Sequence, residues 1–116
     1  MKTVFRFSVA LLGVAMIAGC TLTEGQFNNM QATIGGSPAA KRQAISECVV
    51  RQKARPISEK KNDSVMFNIG LSNFPTTYCT RLWNATAAGR ITYADYIKLT
   101  QPTADSSKVI RIMQGR

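Results

Sequence analysis

The chain predicts an all-α fold, a small bundle of four or five short helices. Two observations carry that expectation. Helix start and stop signals (Ser-Pro, Thr-x-x-Asp and single glycines) bracket stretches whose apolar residues recur at helical spacing. Only Ser64 to Phe74 alternates as a strand would, and a lone strand has no partner to pair with and is not stable.

Taken in order, the chain opens with MKTVFRFSVALLGVAMIAGC. Lys2 and Arg6 give a positive start, and Phe7 to Ala18 is an uncharged, mostly apolar run. A run of about 12 residues is too short to cross a hydrocarbon core, which needs roughly 20 helical residues. It fits the apolar region of a cleaved secretory signal. The run ends in Ile17-Ala18-Gly19-Cys20, which resembles the lipobox of bacterial lipoproteins. The resemblance implies removal of residues 1–19 and acylation of Cys20, so that the lipid bilayer is the first partner. Residue 21 is Thr, not the Asp that retains such proteins at the inner membrane. The resemblance therefore implies the cell envelope, and the outer membrane where the cell has one.

Without residues 1–19 the remaining 97 residues hold 13 basic and 6 acidic side chains, a formal charge of +7. That length suits one small domain. The charge favours anionic surfaces such as lipid headgroups, wall polymers or acidic proteins. Nucleic acid is not expected, because export takes the chain away from it. The lipobox reading also resolves an odd cysteine count. With Cys20 acylated, Cys48 and Cys79 remain, and an even pair in a small exported protein reads as one disulfide stapling the bundle. Two buried free thiols are the alternative. A metal site is disfavoured, since the chain has no histidine and no C-x-x-C pair.

Residues 20–37 show no sustained period and close on Gly35-Gly36, so they read as a flexible tether of roughly 20–25 Å mean span. Phe27, Met30 and Ile34 are left either to dock on the domain or to meet a partner. The domain proper is then 38–116. Ser37-Pro38 starts a helix that runs to Ala54 and ends at Arg55-Pro56. Ala44, Ile45, Cys48, Val49 and Gln52 share one side of it, bordered by Arg42, Arg51, Lys53 and Arg55. That side suits a core, or an in-plane helix on an anionic membrane. Ile57 to Asp63 reads as a charged loop, and Ser64 to Phe74 as a short helix or an irregular buried segment. Pro75 to Ala88 is the second clear helix, with Cys79, Leu82, Trp83 and Thr86 on one face and Gly89 as its stop. Thr92 to Asp95 reads as a capping box opening a helix to Leu99. Asp105-Ser106-Ser107 caps a last helix to Gln114, with Val109, Ile110, Ile112 and Met113 inward.

Catalytic patterns are weak. Without histidine no Ser-His or Cys-His system can be built, and no phosphate-binding glycine loop occurs. Asn84 to Asp95 has the glycine and end spacing of a calcium loop but lacks the acidic ligands calcium needs. Tyr78, Trp83, Tyr93 and Tyr96 lie near Arg81, Arg90 and Lys98 and could make an aromatic and basic face, although a core reading suits them better. No cofactor is implied. The residues expected to meet an anionic partner are Arg42, Arg51, Lys53, Arg55, Lys60 and Lys61. The function expected is a non-catalytic envelope lipoprotein with a cationic helical binding module for an anionic envelope polymer or an envelope protein complex. The alternatives are an accessory or pilot subunit of a secretion or transfer machine, and a surface inhibitor or exclusion protein.

Overall fold

A computed structural model describes residues 21–116. The signal segment and Cys20 lie outside the described residues. Those residues form six α-helices and no strand: α1 Glu24–Gly36, α2 Pro38–Lys53, α3 Ile57–Phe67, α4 Phe74–Ala87, α5 Tyr93–Leu99 and α6 Ser107–Met113. A 3-10 turn, Leu71–Asn73, leads into α4. No helix among them is long and apolar enough to cross a membrane.

The architecture is organised around α4, which touches α1, α2 and α6. Its apolar face divides the interior in two. At one end Phe67, Ile69, Phe74, Val109 and Met113 form a core with Tyr78, Leu82 and Ile110. At the other, Phe27, Ala85, Ile91 and Ile112 pack with Leu22, Met30, Leu82, Tyr93 and Tyr96. Leu82 belongs to both, so α4 is the wall they share. A disulfide between Cys48 and Cys79 joins α2 to α4, with the two Cα atoms 5.8 Å apart. It is almost fully buried, and Cys48 is the one buried residue of α2.

Four helices lie where their caps predict. Ser37 Oγ accepts the Ala40 N–H and opens α2. Thr92 and Asp95 form the expected reciprocal box at the start of α5. Gly89 and Gly115, at φ 75 and 84, turn the chain after α4 and α6. The N-terminus of α6 is held by Asp105, whose Oδ1 accepts the Ser107 N–H.

Two expectations are corrected. The stretch read as a flexible tether is α1, so the helical unit begins at residue 24 and not at 38. A capping box starts it: Gln26 N–H donates to Thr23 Oγ1, and Thr23 N–H donates to Gln26 Oε1. Phe27 and Ile34 then bury themselves about one and three turns on, with Met30 half-buried between them. Gly35 permits close docking, because a Cβ there would meet the Ala87 carbonyl oxygen at 3.0 Å. The charged stretch 57–63, read as a loop, is the body of α3. It lies on the surface with only Ser64 and Phe67 buried, so its sequence carries little helical periodicity. Asn68 ends it in the left-handed conformation, φ 52, which an Asn side chain tolerates.

Candidate anion-binding site

The six basic residues singled out along the sequence are only partly brought together. Arg51, Lys53, Arg55, Lys60 and Lys61 surround the corner between α2 and α3. Arg42 stands nine positions before Arg51 on the same helix, about 14 Å away along the axis. Arg55 is not a free cation. Its Nη2 meets Asp63 Oδ2 at 2.8 Å and its Nε meets Glu59 Oε2 at 3.4 Å. Lys60 Nζ donates to the Lys53 carbonyl at 3.2 Å, closing the end of α2. The corner is therefore largely a helix-capping network with its cations partly answered. The apolar side of α2 faces α4, in keeping with a core and not with a membrane plane.

A second basic region is concave. A cleft of about 510 Å³ is lined by Gly89, Arg90, Lys108, Arg111, Ile112 and Arg116. A neighbouring hollow of about 340 Å³ shares Arg90 and Ile112 with it and adds Arg81. Five basic side chains from α4, the α4–α5 loop, α6 and the residues after α6 thus line the two adjoining spaces, and no Asp or Glu side chain lines either. Two of them are held by main-chain oxygens at and beyond the end of α6: Arg81 Nη1 donates to the Met113 carbonyl at 2.8 Å, and Arg90 Nη2 donates to the Arg116 main-chain oxygen at 2.7 Å. A helix C-terminus leaves carbonyls unsatisfied and carries partial negative charge, which is why guanidinium groups settle there. Lys108 Nζ sits 2.7 Å from Asp95 Oδ2. Arg111 and Arg116 are exposed and enter no ion pair among the described residues. Sequence spacing could not find this cleft, since its members are spread from residue 81 to residue 116.

The carboxylates are largely committed. Asp95 is buried, which by itself disfavours its charged form, but hydrogen bonds from Lys108 and Thr92 outweigh that and hold its carboxyl below the usual value. Its Oδ2 takes the Thr92 N–H, the Thr92 hydroxyl and the Lys108 ammonium. The stretch with calcium-loop spacing, Asn84 to Asp95, is the end of α4, a glycine turn and this cap. Tyr78, Trp83, Tyr93 and Tyr96 are half-buried, and the tyrosines pack against the two cores. Tyr93 and Tyr96 stand against Phe27 with ring centres 5.8 and 5.6 Å away, and Tyr78 stacks on Phe74 at 5.2 Å. No family model matches the chain, and no curated protein or solved structure is similar to it.

Proposed function

We propose that the protein is an envelope lipoprotein, anchored through acylated Cys20, whose helical domain binds an anionic envelope partner without catalysing a reaction. The observation that carries the binding role is the adjoining cleft and hollow lined by Arg81, Arg90, Lys108, Arg111 and Arg116 and by no Asp or Glu side chain. Concave, like-signed surfaces focus the field and concentrate counter-charges. The signal segment, the lipobox and the +7 charge of the mature chain support an anionic envelope polymer or headgroup as the ligand. A purely binding role agrees with a chain that has no histidine and has Asp63, Glu59 and Asp95 paired with cations.

The test uses polyphosphate as a stand-in polyanion, titrated into the detergent-solubilised full-length protein. Saturable binding that weakens steeply between about 50 and about 300 mM salt is expected, because exposed charges are screened over that range. Salt-independent binding, or none, contradicts the proposal. A second reading, an accessory subunit of an envelope complex, draws on the exposed apolar side chains Ile57, Val65, Met66 and Leu71 on and after α3. A protein partner seated there would stay bound at high salt.

A further inference from the structure

Between α1, α4 and α5 lies an apolar groove of about 240 Å³, lined by Leu22, Phe27, Met30, Leu82, Trp83 and Tyr96 among others. Three features of it bear on what it holds. Its volume falls below the roughly 300–1,000 Å³ typical of pockets that enclose whole small molecules, so it suits a segment of a slender chain. Trp83, the single tryptophan of the sequence, lines it, and the indole Nε1 is buried with no hydrogen-bond partner. Finally, the backbone is clamped at its rim. The Leu22 N–H donates to the Tyr96 hydroxyl at 3.1 Å, and the Tyr93 hydroxyl donates to the Leu22 carbonyl at 3.1 Å.

The clamp fixes Leu22 at the groove rim. Two residues of chain span at most about 7 Å, so a group attached two positions before Leu22 is within reach of the groove. We propose that the groove holds part of one acyl chain attached to Cys20, which rests on the lipoprotein reading above. An alkyl segment would lie against Phe27, Met30 and Leu82, and the unpaired Trp83 Nε1–H is a donor that an acyl carbonyl oxygen would satisfy. The remaining acyl chains stay in the bilayer. The domain is then held close to the membrane by its own lipid as well as by α1, which places the basic cleft at a fixed height above the headgroups.

The test is made on the full chain, expressed in a bacterium fed a fatty acid with a mid-chain diazirine and irradiated in its own membranes. Trypsin releases Leu82 to Arg90 as one peptide carrying Leu82, Trp83 and Thr86 of the groove. A cross-link of that peptide to the Cys20 peptide through the acyl chain is the expected result. Leu99, half exposed on the groove lining, gives the variant. Leu99→Glu should lower the cross-link several-fold while the Cys48–Cys79 bridge persists. Label on Cys20 that cross-links only to phospholipid, or a phospholipid-mass adduct on the Leu82–Arg90 peptide, overturns the groove proposal alone. No label on Cys20 overturns the lipoprotein reading and this proposal with it.

Discussion

Asp95 joins the start of α5 to α6 through one oxygen atom, which accepts from Thr92 and from Lys108. Because its folded carboxyl is held below the ordinary value, its contribution to stability is complete above about pH 4 and is lost as pH falls through the folded value. Asp95→Asn keeps an acceptor for the cap and loses the ion pair. It should cost about 1–2 kcal/mol at neutral pH by urea unfolding. The gap to the wild type should close below about pH 4, whereas a gap that persists in acid would contradict the role given to the charge. Glycines make a second contrast at this scale. Gly35→Ala should destabilise by about 1–3 kcal/mol, since its Cβ would press on the Ala87 carbonyl. Gly25→Ala, in the same helix with nothing within 4 Å, should stabilise by about 0.5 kcal/mol. Equal effects of the two would mean that α1 is not docked on α4.

At the scale of elements, α1 and α2 are held in opposite ways. Helix α1 is attached by side chains. Phe27→Ala should cost about 3–5 kcal/mol, a loss that a free tether would not show in thermal unfolding. Helix α2 buries only Cys48 fully and depends on its bridge to Cys79. Closing 31 positions of chain is worth about 3–4 kcal/mol in the chain-entropy account. With both cysteines changed to alanine, amide exchange across Pro38–Lys53 should quicken far more than across α4. Equal protection of the two helices would show that the bridge is not what holds α2. Four helices were legible because their boundaries carry chemistry: Ser37-Pro38, Pro75 with Gly89, Thr92 with Asp95, and Asp105 with Gly115. Helix α1 has its box in Thr23 and Gln26, but glycines and asparagines dilute the Phe27, Met30 and Ile34 stripe. Helix α3 hides for another reason. It shows solvent Val65, 83% exposed, and buries a serine at 64, which inverts the usual signal.

Over the whole molecule, charge is distributed unlike its distribution along the chain. The run from Arg51 to Lys61 looks like the binding face because its members are sequence neighbours, yet Arg55 there is paired with Asp63 and Glu59. Arg81, Arg90, Lys108, Arg111 and Arg116 meet only because α4 and α6 lie together. No periodicity in one helix encodes a cleft formed by two. Arg111→Ala with Arg116→Ala, both exposed, should weaken polyphosphate binding by about 1–2 kcal/mol with unfolding unchanged. The pair Lys53→Ala with Lys61→Ala should weaken it less, and the reverse order would move the site to the α2–α3 corner. All of this supposes an anchored, oxidised protein. The intact mass of the chain purified from membranes, with and without reductant, tests that supposition most directly. The account predicts a chain that starts at Cys20 with added acyl mass and gains about two mass units on reduction. An unacylated chain that starts elsewhere, or one whose mass reductant leaves unchanged, would contradict it.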